Sequence, residues 1–233
     1  LLSANIVDPG GLSGICFPAA ILVVKGVRVG IIGLTTPAEV VRRKGAEFQI
    51  SDPVLATRNI LPVLKPHCDI LVLLTHLGRS LTSPGAVLAG AGDEELAKSL
   101  PFGGVHLIVG GHTHQALNER GLSPANIVNG IPIVQAGQMG RFLGEVNITI
   151  HPPAAVTHTR LWQTADLPVD EDFERKEIGP LLEKVKPLFD RPLGKAADEP
   201  DLSTEAIRNS IASGESAMAN FVTDAIVSRC HTL

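Results

Sequence analysis

Three histidines stand where a metal ion could use them. His76 lies in Thr75-His76-Leu77-Gly78, and His112 and His114 lie in Gly110-Gly111-His112-Thr113-His114. Imidazole is the usual neutral ligand for zinc, manganese and iron. The two-residue spacing lets His112 and His114 reach two different ions, or one ion from two sides. Two ions about 3.5–4 Å apart can clamp the attacking and leaving oxygens of a phosphoryl transfer, and each lowers the pKa of bound water towards neutrality. A diglycine before two histidines has little packing purpose, but it allows a sharp turn and close backbone approach. His67, His106, His151, His158 and His231 lack this context and read as ordinary loop or strand residues.

The elements around these residues decide whether they can meet. Residues 69–75 are a continuous apolar run, the pattern of a strand buried on both faces. Residues 105–109 read the same way, so His76 and the Gly110–His114 segment each follow a strand. If those strands run parallel, all three imidazoles reach the carboxyl edge of one sheet, where open α/β sheets bind ligands. Other elements fill in the sheet. Lys25-Gly26 separates two β-rich runs and signals a hairpin. Asp52 can cap a helix over 53–65 with Pro53 at its first position, although Pro62 weakens the last turn. A short helix starts at Asp93. Strands are expected over 131–135 and 142–150, and 157–163 can pair with the latter. Near residue 165 the texture changes. An acidic stretch leads into a charged amphipathic helix over 173–189, broken at Gly179-Pro180. A linker-like stretch follows, and then a helix over 215–229 with Met218, Phe221, Val222, Ala225 and Ile226 on one face.

Three histidines do not complete a two-metal site. Two divalent cations usually need carboxylates to offset their charge, one of them bridging. No Asp-x-His and no Gly-Asp pair precedes His76. Asp52 and Asp69 are not expected at strand ends facing that edge. Either the missing ligands precede Leu1 or the site is not dinuclear. No catalytic residue is identified within the chain.

Composition narrows the class of partner. The 233 residues are 44% hydrophobic and 19% charged, with a net charge of −4. That balance forces no basic surface and argues against a nucleic-acid polymer as partner. The apolar runs are strand-length, so no transmembrane segment is expected. Leu1-Leu2-Ser3-Ala4-Asn5 has neither a Met nor a basic start, and reads as the beginning of a piece of a longer chain. Cys16, Cys68 and Cys230 have no paired spacing and read as small buried hydrophobes.

Several blocks, in order, resemble the calcineurin-like metallophosphoesterases, and more narrowly the 5′-nucleotidase and UDP-sugar hydrolase branch. The histidine blocks Leu73-Leu74-Thr75-His76-Leu77-Gly78 and Gly110-Gly111-His112-Thr113-His114 resemble its last two metal-binding blocks. Leu2-Ser3-Ala4-Asn5-Ile6 and the run from Val29 to Pro37 are similar to stretches of that family. The run from Gln135 to Gly144 resembles the segment closing its catalytic domain, and the run from Glu215 to Ala225 its C-terminal opening helix. The resemblance implies an α/β fold: a four-layer α/β/β/α sandwich, incomplete here, then a linker helix and the start of a C-terminal α/β domain. The corresponding boundaries are 1–165, 166–192 and 193–233. It implies two divalent ions (zinc, manganese, iron, cobalt or nickel), with His76 and His112 on one and His114 on the other. It implies hydrolysis of a small-molecule phosphoester, a nucleotide or UDP-sugar, by an exported protein of the periplasm or cell surface. The Asp-x-His, Gly-Asp-x-x-Asp and Gly-Asn-His blocks are then expected upstream of Leu1, and this piece alone is expected to be inactive. One further departure bears on substrate. Many relatives carry a phosphate-contacting arginine three residues before the glutamate that matches Glu215. Ala212 stands there, with Arg208 about one helical turn away. A metal- or ligand-binding protein without turnover is the alternative.

Overall fold

A computed structural model describes residues 1–7, 16–37, 49–80, 90–151, 153–191 and 217–230. Arg208, Ala212 and Glu215 lie outside the described residues. The described chain divides into two units, Leu1–Pro168 and Val169–Leu233.

The first unit is built on a mixed six-stranded sheet. Its strands in spatial order are β2 (Ala19–Val24), β3 (Val27–Thr35), β5 (Ile70–His76), β6 (Leu107–Val109), β8 (Ile131–Val134) and β7 (Ile127–Val128). The four central strands are parallel, and β2 and β7 are antiparallel edges. The β2–β3 hairpin turns on Lys25 and Gly26, both at positive φ (51° and 83°), the conformation that a two-residue turn needs to match strand twist. At the amino end of β5, Arg28 grips Asp69 through two nitrogens and holds its carboxyl down at about pKa 2. The pair β1 (Ile6–Val7) and β4 (Gln49–Ile50) forms a separate two-stranded sheet. The buried Asn5 carboxamide ties it to the end of β3: it donates to the carbonyls of Thr35 and Ser51 and accepts from Thr35 N–H.

Helix α1 (Pro53–Leu64) starts on Asp52, whose carboxylate accepts from Leu55 N–H at 2.8 Å. Beyond Pro62 the chain tightens into a 3₁₀ turn, Lys65–His67. Helix α2 (Asp93–Ser99) follows. Leu61 of α1 and Leu96 and Ala97 of α2 pack with Ile32, Leu73, Ile108 and Ile133 of the sheet into one core. Burial along β5 alternates: Leu71, Leu73 and Thr75 face the core, while Leu74 is 47% exposed. The face that carries Leu74 is covered at Ile70, 4% exposed, and opens only towards His76, a correction to the expectation of burial on both faces along the whole run. His76 shares the parity of Leu74, so it leaves the sheet on the side away from Thr75. The antiparallel hairpin of β9 (Phe142–Thr149) and β10 (Ala155–Gln163) is a second two-stranded sheet. It bonds through Leu161 N–H and Thr159 Oγ1 to the carbonyls of Glu119 and Asn118.

The second unit is helical over its described residues. Asp170 caps the helical turn Glu171–Phe173, and the chain continues through a π segment, Glu174–Ile178, into the helix Gly179–Phe189. The helix expected over 173–189 is thus continuous, and the break at Gly179-Pro180 becomes a widened turn. Pro180 has no N–H to donate and its ring needs room beside the preceding turn, which the π geometry supplies. A last helix spans Ala217–Cys230. No described helix is long and apolar enough to cross a membrane.

Candidate metal centre

The carboxyl ends of the parallel strands bring the flagged histidines to one edge. His76 ends β5 and pairs in register with Thr35 at the end of β3. His112 follows β6 by three residues. The two imidazoles sit edge to face, with ring centres 5.2 Å apart. Two imidazoles sharing one tetrahedral ion at about 2.0–2.1 Å hold their ring centres about 5 Å apart, and the His76 and His112 rings stand at about that separation. Gly111 makes the approach possible, because a Cβ there would lie 2.9 Å from His76 Nδ1. His114 is exposed on the same loop. Among the described residues no three histidine, cysteine, aspartate or glutamate side chains converge on one point. The structure therefore brings His76 and His112 together.

The loop carrying His112 and His114 is strained. Thr113 N–H donates to Gly111 O at 2.9 Å across His112, whose φ is +73°. A two-residue bond around such a φ makes the rarer γ-turn, which costs conformational energy. His114 is also left-handed, at φ +57°. Two non-glycine residues at positive φ on either side of one threonine persist only when the surroundings hold them.

Two residues that the motif reading passed over lie beneath this loop. The first is Asp93, fully buried at the start of α2. Its Oδ1 accepts from Thr75 Oγ1 at 2.6 Å, while Oδ2 has no hydrogen-bond partner among the described residues. Burial pushes its carboxyl up to about 7, against the Thr75 bond, with Glu95 and Glu94 adding to the rise. Oδ2 packs against Gly110, where a Cβ would stand 2.2 Å away. An acid in a first helical turn is commonplace, and nothing local in the sequence marks this one as buried. The second is Gln135, immediately after β8 and 2% exposed. Its Nε2 donates to Gly111 O at 2.8 Å, and its Oε1 accepts from Gln115 N–H and from Thr113 Oγ1. His106, by contrast, is a structural residue: its Nδ1 accepts from Leu71 N–H at 2.9 Å, and burial lowers its pKa. A cavity of about 320 Å³ lies beside the loop, lined mainly by apolar residues of β6, β8 and the β9–β10 hairpin, with Gly110 and Gln135 at its wall.

No family model matches the chain. Individual proteins do. A 5′-nucleotidase of Vibrio cholerae is 30% identical over 166 residues, covering 63% of this chain and 30% of its own. The trifunctional nucleotide phosphoesterase protein YfkN of Bacillus subtilis is 24% identical over 216 residues, 91% of this chain and 14% of its own. Among solved structures, a 5′-nucleotidase precursor from Thermus thermophilus aligns with a TM-score of 0.63 and 28% identity, over 83% of this chain and 39% of that one. This chain is a relative of the 5′-nucleotidase and UshA proteins. It spans less than a third of the length of the curated relatives named here. The mixed six-stranded sheet with its helices is the α/β architecture it shares with the solved 5′-nucleotidases.

Proposed function

We propose that the protein hydrolyses phosphate esters, with nucleotides or UDP-sugars as substrates, and that His76, His112 and His114 form the histidine flank of its metal centre. The observation that carries this reading is the adjacency of the His76 and His112 rings, 5.2 Å apart at the carboxyl edge of a parallel sheet. In this reading His76 and His112 hold one divalent cation and His114 holds a second; zinc, manganese, iron, cobalt or nickel would suit imidazole. Bound ions of this kind supply hydroxide at neutral pH and stabilise charge on the phosphoryl oxygens. The chain's own contribution is geometric. Gly111 leaves space for the ring of His76, and the turn at His112 aims its ring at its partner. Carboxylates from outside the described residues would balance the charge.

The wider reading rests on the relatives. The sheet and the β9–β10 hairpin belong to a four-layer catalytic sandwich over 1–165, residues 166–192 form a linker with a helix, and 193–233 open a substrate domain. Action outside the cytoplasm, in the periplasm or at the cell surface, goes with that assignment.

The test is turnover of a nucleotide and UDP-sugar panel by the full-length protein with Mn²⁺, Zn²⁺ or Co²⁺. A His112→Ala variant is expected to lose activity by at least about 100-fold, as loss of a cation that activates water and steadies phosphoryl charge requires. Unchanged turnover in that variant would sink the assignment. Metal binding with no turnover on any ester would leave a binding protein instead.

A further inference from the structure

We infer that Gln135 is a positioning residue, whose carboxamide holds the strained loop bearing His112 and His114 in the shape that sets those imidazoles. The inference rests on the metal reading above for its purpose, but not for its geometry.

The carboxamide spans the loop from end to end. Its donor meets Gly111 O, one residue before His112, and its acceptor takes Gln115 N–H, one residue after His114. Gly111 O is also the acceptor of the γ-turn bond from Thr113 N–H, so the same oxygen is fixed from two directions. In the middle of the loop Thr113 Oγ1 donates to Gln135 Oε1 at 3.2 Å and accepts from Arg79 N–H at 3.2 Å. Arg79 lies three residues beyond His76. One buried side chain thereby links the exit of β6, which carries His112, to the exit of β5, which carries His76. The backbone around Gln135 reinforces the grip. Gly110 N–H donates to Val134 O, Leu117 N–H to Gln135 O and Gly137 N–H to Gln115 O.

A glutamine suits this task better than any other side chain. It must present one donor and one acceptor at a fixed separation to two backbone groups of opposite polarity. A carboxylate would turn the donor into a second acceptor facing Gly111 O. Asparagine would fall one methylene short. Buried backbone groups left without partners are costly, so the loop has a strong reason to keep this arrangement rather than relax to unstrained dihedrals. Groups that orient metal ligands without touching the metal commonly change affinity by about 10- to 100-fold.

The experiment uses the full-length protein, Co²⁺ as the probe and four variants: Gln135→Met, Gln135→Glu, Ile133→Val and His112→Ala. Ile133 lies in the strand that leads to Gln135, with its side chain buried in the apolar core, so its variant reports the effect of a weakened strand. In metal-free protein, amide exchange at Gln115 is expected to speed up at least tenfold in Gln135→Met. It should stay near wild type in Gln135→Glu, which retains the acceptor, and in Ile133→Val. Co²⁺ affinity is expected to fall about 10- to 100-fold in Gln135→Met and Gln135→Glu, with an altered visible absorption band, and to stay within about twofold in Ile133→Val. Unchanged Gln115 exchange in Gln135→Met would overturn the inference. So would a Co²⁺ loss in Ile133→Val equal to that in Gln135→Met, since Gln135 would then matter only as part of the strand. If wild type binds no Co²⁺, or His112→Ala binds it equally well, the metal reading fails, and the exchange of Gln115 alone decides whether Gln135 holds the loop.

Discussion

His76 and His112 reach the same place by different means. His76 is the last residue of a regular strand, locked by parallel pairing with β3, and its direction follows from the alternation of β5. His112 stands on a left-handed turn after a three-residue strand, and what fixes it comes from Asp93 and Gln135, 19 and 23 residues away in the chain. The first histidine is placed by its ladder. The second needs a packed floor, a polar tie and a diglycine. A strand-borne histidine therefore takes its backbone position from regular pairing, and a loop-borne one takes it from residues distant in the sequence.

The most damaging break in that floor should come at Gly110. A methyl group there would stand 2.2 Å from Asp93 Oδ2, and Asp93 is completely enclosed, so neither side can yield. Gly110→Ala is expected to destabilise the protein by about 3 kcal/mol, the upper range for overpacking, measured by denaturant unfolding. The neighbouring Gly111→Ala would meet the Nδ1 end of His76 at 2.9 Å. The clash there is with the end of an exposed side chain rather than with an enclosed carboxylate, so the stability cost should be smaller, about 1 kcal/mol, with the ring displaced. Equal losses in the two variants would contradict the picture of a rigid floor at Gly110 and a more yielding contact at Gly111.

The Asp93 carboxyl offers a second, smaller break, read through pH. Folding raises its pKa from the ordinary 3.8 to about 7. The folded protein thus keeps a proton that the unfolded chain releases, and this group's stabilising contribution is complete below about pH 4. It is lost progressively as pH rises through about 7, the sign that linkage requires when the native state binds more protons. Thr75 opposes the rise through its hydrogen bond to Oδ1, while the charges of Glu95 and Glu94 increase it. Asp93→Asn retains an acceptor for Thr75 and cannot ionise. In metal-free protein the fall in Tm between pH 4 and 7 should be shallower in this variant than in wild type. Parallel Tm curves would show that Asp93 is not protonated in the fold.

Much of this frame was legible in the sequence because it is local. The Lys25-Gly26 hairpin, the Asp52-Pro53 helix start and the strands leading to His76 and Gly110 all follow from neighbours a few residues apart. The two apolar runs with a helix between them left the pairing of β5 with β6 open, and the structure makes it parallel. What the sequence did not disclose is tertiary. An apolar run does not say how far along it each face stays covered, so the exposure of Leu74 is not visible in it. An aspartate at a helix start looks the same whether it meets water or lies under Gly110. Gln135 follows an apolar strand in a block recognisable by resemblance, yet its partners are 20–24 residues earlier, and no spacing rule connects them. The two-residue strands β1, β4 and β7 are too short to carry a pattern.

The smallest expected effect sharpens the contrast between strain that serves a site and a turn that does not. Lys25 and His112 are both non-glycine residues at positive φ, 51° and 73°. Lys25 sits in a two-residue hairpin turn whose geometry is common and suits the flanking strands. His112 sits in the strained γ-turn form, worth about 1–3 kcal/mol. Replacing each by glycine removes the steric cost and adds chain entropy to the unfolded state, about 0.5–1 kcal/mol. For Lys25→Gly the two terms nearly cancel, and stability should move by less than about 0.5 kcal/mol. For His112→Gly relief exceeds the entropy term, and metal-free protein should gain about 1 kcal/mol, even though the ring contact with His76 is lost. Calorimetry of the two variants without metal makes the comparison. If His112→Gly were destabilising, the loop would be at rest in its observed shape, and neither Gln135 nor Gly111 would have strain to hold.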